Sequence, residues 1–343
     1  MRKAGINRRA FLRHSGIATA LGLGGMMTAC NREEESASGG GGFTGEPRSG
    51  NGEYVEVLAL TSLPYFIDHK VGMEQAAKYL GVSTKFLGPS ELDLDQMVTT
   101  LEQAITQEVS GLVVVGFDPL LAPSINKAID AGIPAVTVDA DVPDSNRLCF
   151  LGTGNEQAGE LGAQELARLI GGSGKVIIIT RTGQSNLEER VNGYRKVLNA
   201  EGIEIVQVAN DDSDSTKAAS AVTAALRTQP DLAGIACVEA AGGVGTATAL
   251  REANKAGEVK VVAMDRDAET LEAIEEGTIQ ASIAQKSALM TFWGVMLLHQ
   301  FQTLDIPITE DNEAAGVNPL PSYVDTGAEL ITKENVAQWK KTG

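Results

Sequence analysis

Aromatic residues are scarce in this sequence, at 4% of 343 residues, and cysteine and histidine are scarcer, with three of each. Three Cys cannot build the disulfide framework of a small secreted domain, and neither Cys nor His is spaced as zinc ligands are. Positive charge is also short: 28 Lys and Arg face 45 Asp and Glu, for a net charge of -17. That excludes the basic footprint of sequence-independent nucleic-acid binding. The chain lacks the long apolar runs of a multi-span membrane protein, yet it is 43% hydrophobic and 21% charged. This balance supports a sizeable core and excludes disorder throughout. The length fits about two domains.

The first thirty residues read as an address. Arg8-Arg9-Ala10-Phe11-Leu12-Arg13 has the twin-arginine pattern of exported bacterial proteins. The weakly apolar run Ser15 to Ala29 falls short of the roughly 20 residues that span a bilayer, and has the length of a signal h-region. It ends Met27-Thr28-Ala29-Cys30, which resembles a bacterial lipobox with Met27 where Leu is commoner. Residues 1–29 are therefore expected to be a signal peptide cut before Cys30, whose thiol carries the lipid. Residues 30–53 form a polar tether, loosest at Gly39 to Gly42. The expected location is periplasmic or cell-surface, held to a membrane through the lipid anchor only.

From Tyr54 onward strands and helices alternate. Short β-branched runs at Val55–Leu60, Leu112–Val115, Ala135–Val138, Val176–Ile179, Ile203–Val208, Gly234–Val238 and Val259–Ala263 are mostly apolar without regular alternation, interrupted at Glu56, Glu204, Gln207 and Lys260. This is the mark of parallel strands covered on both faces. Leu94, Met97, Val98, Leu101 and Ile105 recur at helical spacing. Gly81, Gly132 and Gly202 each close a helix before a strand opens. Six βα units up to about Gly277 exceed what one doubly wound sheet usually holds, so two α/β sheets are expected. A loop after Asp139, a strand over Arg147–Leu151 and then Gly152-Thr153-Gly154 mark the division. A strand over Ile279–Ala284 leads into a long helix, Ala288 to Gln302.

Five motifs in order resemble the periplasmic sugar-binding proteins of the ribose/galactose type, the type I solute-binding fold. They are Leu63-Pro64-Tyr65-Phe66, Ile133-Pro134-Ala135-Val136-Thr137-Val138-Asp139, Glu189-Arg190-x-x-Gly193-Tyr194, Val262-Ala263-Met264-Asp265 and Ala281-Ser282-Ile283-Ala284-Gln285. The resemblance covers residues 54–340. It implies two Rossmann-like lobes with parallel sheets, joined by a three-strand hinge and closing over a sugar. By analogy the N-terminal lobe is 54–152 plus 287–316, and the C-terminal lobe 153–286 plus 317–343, with crossovers near Gly152–Gly154, Lys286 and Gly316. It further implies an ABC transporter permease as partner, a monomeric chain, and no cofactor or metal.

The residues agree with that picture independently. Ligands of open α/β sheets bind outside the carboxyl ends of the strands. Tyr65, Phe66, Asp139, Glu239, Asp265 and Gln285 all follow or end strands, and Asn186 and Arg190 lie four apart on one helix. Carboxylates accept hydrogen bonds from vicinal hydroxyls, ring faces pack on sugar C–H patches, and a guanidinium spans several oxygens. For each residue a structural role stands beside the ligand role: Asp139 and Asp265 as helix N-caps, Tyr65 and Phe66 as core, Asn186 and Arg190 as a surface pair, Glu239 as a solvated acid and Gln285 as hinge. The chain departs from the ribose pattern at Ala140 (Arg there), Leu63 (Asn), Ser213 (an aromatic) and Glu239 (Asn). Three acids opposed mainly by Arg190 suit a neutral monosaccharide or polyol, or even a cation, and disfavour phosphorylated or carboxylate ligands.

An enzyme is not expected. No G-x-G-x-x-G follows a strand directly, no G-x-S-x-G elbow occurs, and His14, His69 and His299 supply no evident base. A sugar-responsive repressor would need a helix-turn-helix where the signal and tether stand. The alternative kept open is a sugar sensor of the same fold that docks to a chemoreceptor or sensor kinase.

Overall fold

The buried β-branched runs become the centres of two sheets. The computed structural model describes residues 52–304, 306–312 and 314–340, so the twin-arginine segment, Cys30 and the tether up to Asn51 lie outside the described residues. The first series of strands is β1 (Glu53–Val57), β2 (Ser83–Leu87), β3 (Gly111–Val115), β4 (Ala135–Val138) and β5 (Phe150–Gly152). The second is β6 (Lys175–Thr180), β7 (Glu204–Asn210), β8 (Leu232–Cys237), β9 (Lys260–Met264) and β10 (Ala281–Gln285), followed by β11 (Tyr323–Asp325) and β12 (Ala328–Thr332). Between them run α1 (Ile67–Leu80), α2 (Leu94–Thr106), α3 (Ala122–Asp130), α4 (Asn155–Leu169), α5 (Ser185–Ala200), α6 (Ser215–Thr228), α7 (Ala240–Glu252), α8 (Ala268–Glu276) and α9 (Ser287–Thr303).

The sheets repeat one plan. The first has the order β2-β1-β3-β4-β5-β11 and the second β7-β6-β8-β9-β10-β12. All pairings in the first are parallel, and in the second only β12 runs antiparallel, against β10. In each sheet the chain turns outward from the first strand and then resumes on its other side, leaving a crevice at the strand tips. The local signals hold: Gly81, Gly132 and Gly202 have φ of 72°, 79° and 73°, the left-handed form that ends a helix.

The chain passes between the sheets three times. β5 leads through Gly152-Thr153-Gly154 into α4, and β10 leads through Lys286 into α9, which packs on α1, β3 and β4 of the first lobe. The third passage is at Thr326–Gly327, because β11 pairs with β5 in the first sheet. This corrects the boundary expected at Gly316. Two prolines, Pro319 and Pro321, precede β11, and its three residues carry no apolar run that reads as a strand.

The crossing of α4 on α5 depends on glycine. A Cβ at Gly159 would stand 2.1 Å from the Arg190 carbonyl oxygen, and one at Gly193 2.2 Å from that of Glu156. One at Gly162 would stand 2.1 Å from the Tyr194 hydroxyl. The spacing of Arg190, Gly193 and Tyr194 is therefore a packing device. It lets two helix backbones touch and fixes the helix that presents Arg190 and Asn186.

Candidate ligand-binding site

Asp139 and Asp265 occupy equivalent places in the two sheets, just beyond the tips of β4 and β9. Both are in the left-handed region, at φ 66° and 67°, which costs a non-glycine residue about 1 kcal/mol or more. Each backbone N–H is held by the neighbouring strand, Asp139 by Leu151 O at 3.0 Å and Asp265 by Ile283 O at 2.8 Å. Neither is a helix N-cap. The strained turn aims each buried carboxyl into the space between the lobes.

Each carboxyl has a protein donor. The Tyr65 hydroxyl donates to Asp139 Oδ1 at 2.9 Å, and Gln285 Nε2 donates to Asp265 Oδ1 at 3.0 Å. Burial pushes Asp265 up to about 7, against the pull of nearby Arg190 and the Gln285 bond. Arg190, only 2% exposed, is locked in three directions. Its Nε donates to Asn155 Oδ1 at 2.9 Å, one terminal nitrogen to Val238 O at 3.0 Å, and the other to Gln285 Oε1 at 2.6 Å. Gln285 Oε1 also accepts from the Thr153 hydroxyl at 3.0 Å, tying the set to the first passage between the sheets. A guanidinium has five N–H donors, and these bonds use three of them.

Glu239 has a structural task. Its carboxylate accepts from Ala241 N at 3.1 Å and Gly242 N at 2.9 Å, capping α7. Burial, and then neighbouring Asp211, push it well above the usual carboxylate range. Asn186 is buried, with its Oδ1 accepting from Leu187 N at 3.0 Å. Phe66 and Tyr65 pack edge-on at 5.1 Å, backed by the ring of His69, which is hydrogen-bonded to Glu56 at 2.6 Å in the core.

All eight candidates, Tyr65, Phe66, Asp139, Asn186, Arg190, Glu239, Asp265 and Gln285, line one cleft of about 240 Å³ between the lobes. That is below the roughly 300–1,000 Å³ of drug-sized ligand sites, and suits a molecule of about one ring. The same cleft takes in Phe117, Arg181 and Asp212, which were not singled out from the sequence. They follow β3, β6 and β7, so the strand-tip rule applied to those strands finds them. Ser213, the position lacking the expected aromatic, lines the cleft as well, and Phe117 adds an aromatic from the other lobe. Cys149 and Cys237 are buried free thiols outside it.

Known proteins share both the sequence and the architecture. Residues 57–303 match the periplasmic binding protein domain family. The D-allose-binding periplasmic protein of Escherichia coli (strain K12) is 30% identical over 261 residues, covering 72% of this chain and 83% of that protein. The solved structure of a sugar ABC transporter sugar-binding protein from Bacillus halodurans is 36% identical, with a TM-score of 0.78, covering 84% of this chain and all of that one. The fold also matches the XylFII–LytSN complex at 28% identity and a TM-score of 0.71, covering 82% of this chain and 98% of that one. The match spans most of the chain, and its relatives are transporter binding proteins, not enzymes; this chain belongs to the periplasmic binding protein family and is a solute-binding protein of the extracytoplasmic space.

Proposed function

We propose that the chain is an exported lipoprotein that captures a neutral monosaccharide or polyol between two closing lobes and delivers it to an ABC importer. The observation that carries this reading is the shared cleft, with a carboxyl aimed in from each lobe, an aromatic wall on one side and a locked guanidinium on the other. Hydroxyls donate to Asp139 and Asp265, the free N–H groups of Arg190 supply donors to sugar oxygens, and Phe66 and Phe117 cover C–H faces. The relatives' sugars support the ligand class. Arg181 adds a second guanidinium, but Glu91, Asp139, Asp212, Asp214 and Asp265 keep the cleft acidic, which favours a neutral ligand. A sensing role has its own support in the likeness to XylFII, which is assembled with LytSN in that structure.

A thermal-shift screen of D-allose, D-ribose, D-xylose, arabinose and sugar alcohols tests the ligand class, since a ligand at 100 Kd adds about 2.7 kcal/mol. The Asp265 carboxyl gives the screen a pH signature. A hydroxyl that donates to Asp265 is held more strongly by the ionised form, whose population falls below the group's value of about 7. Affinity is expected to weaken by up to roughly tenfold per pH unit between pH 7 and 5. Stability of the sugar-free protein moves the other way. An acid raised in the folded state keeps its proton longer folded than unfolded, so its contribution is greatest below about pH 4 and is lost as pH rises to about 7. Equal sugar affinity at pH 8 and pH 5.5 would remove Asp265 from the site. No shift with any sugar or polyol would sink the capture reading.

The anchor is tested separately. Cys30→Ser is expected to release the protein from membranes into the soluble fraction. A variant that stays membrane-bound and uncut would refute the lipobox.

A further inference from the structure

We propose that Asp68 and Arg266 form a latch between the lobes, an affinity-determining pair that never touches the sugar. The inference rests on the capture reading above. Asp68 lies in the first turn of α1 in the first lobe, and Arg266 follows the tip of β9 in the second. A terminal guanidinium nitrogen of Arg266 donates to Asp68 Oδ2 across the gap. The side chains are 26% and 11% exposed, so the pair is largely screened from water and salt.

Position makes the contact a reporter of closure. Neither residue lines the sugar cleft. Both line an adjoining cavity of about 500 Å³ that shares Tyr65, Asp265 and Gln285 with the cleft and continues between Ile67, Leu271 and Trp339. Along the chain, however, Asp68 stands two residues after Phe66, and Arg266 directly after Asp265. A hinge rotation that parts Phe66 from Asp265 must also part Asp68 from Arg266. The ion pair therefore contributes to the closed state and to no open one. Closure after sugar entry is part of the overall binding equilibrium, so the latch raises apparent affinity by the factor by which it favours the closed, sugar-bound form. Sugar enters the open form, where the pair is broken, and leaves only after the pair breaks. The effect belongs to the dissociation rate. Asp267 and Glu272 line the same cavity, so Arg266 keeps acidic neighbours in its own lobe when Asp68 is neutralised.

The test uses Asp68→Asn, Arg266→Gln and the charge swap Asp68→Arg with Arg266→Asp. Binding of D-allose, D-ribose, D-xylose and arabinose is measured by calorimetry and stopped flow, with interlobe distances from spin labels on α3 and α6 in sugar-free protein. Each single variant is expected to bind roughly 3- to 10-fold more weakly, through faster dissociation at unchanged association, with an unchanged sugar-free Tm. The swap is expected to recover most of the loss, which a merely structural role would not allow. Single variants with wild-type affinity and dissociation rate, or a swap no better than either single, overturn the latch. If wild-type protein binds no sugar, the capture reading fails instead. The latch is then decided by the labels: a closed population that falls in Asp68→Asn upholds it, and one equal to wild type overturns it.

Discussion

Arg190→Ala is expected to weaken sugar binding by roughly 5- to 150-fold and to lower the melting temperature. Both effects come from one geometry. The guanidinium is buried and donates in three directions, to Asn155, to the Val238 carbonyl and to Gln285. Truncation leaves Val238 O and Asn155 Oδ1 without these donors in a buried site, at about 1–3 kcal/mol for each such group. It also frees Gln285, which then holds Asp265 less firmly, and removes the donors offered to the ligand. Arg190→Lys is not expected to rescue, because a single ammonium cannot reach three acceptors set around a planar fork. Asp265→Asn separates the two effects, since its amide oxygen can still accept from Gln285 while the charge is lost. It is expected to lose affinity with no fall in melting temperature, and with a rise at neutral pH, because the buried charge is removed. Calorimetric titration beside thermal denaturation reads both. Wild-type affinity in Arg190→Ala would show that the guanidinium is structural only.

A methyl group placed far from any ligand is expected to do comparable damage. On helix propensity alone, Gly159→Ala should stabilise α4 by about 1 kcal/mol. Its Cβ, however, would stand 2.1 Å from the carbonyl oxygen of Arg190, on the backbone of α5. Backbone cannot rotate away, so the helices must part, and overpacking of this kind costs about 1–3 kcal/mol or more. Steric repulsion therefore outweighs propensity. The variant is expected to melt several degrees lower and to bind sugar poorly, because α5 carries both Arg190 and Asn186. Gly294→Ala is the control. Its Cβ would meet the nearest atom at 3.5 Å, an ordinary contact, and the variant is expected to be neutral or slightly stabilised. A stable, fully active Gly159→Ala protein would refute the close-crossing account.

These residues differ in how visible they were in the sequence. The central strands were legible because burial on both faces leaves an unbroken β-branched run, as in β3 and β6. Strands β2, β11 and β12 were not: they lie at sheet edges, are partly exposed, and mix polar with apolar residues. The site was legible where chemistry and topology coincide, as for Asp139 and Asp265 at strand tips. The left-handed turn that aims both carboxyls was hidden, because no glycine marks it. Glu239 shows the limit of residue type: a carboxylate after a strand lines the cleft, yet its bonds go to the N-terminus of α7. The Asp68–Arg266 pair joins residues 198 apart in the chain, and no local pattern announces such a contact.

The central claim is that a sugar is held between two lobes that close on it. Small-angle scattering of the protein, with and without the sugar that gives the largest thermal shift, tests it most directly. The account predicts a smaller radius of gyration with sugar, and loss of that compaction at the same sugar concentration in Arg190→Ala and Asp265→Ala. Tight binding with no compaction, and with both variants at wild-type affinity, would contradict it and place the binding site outside the cleft.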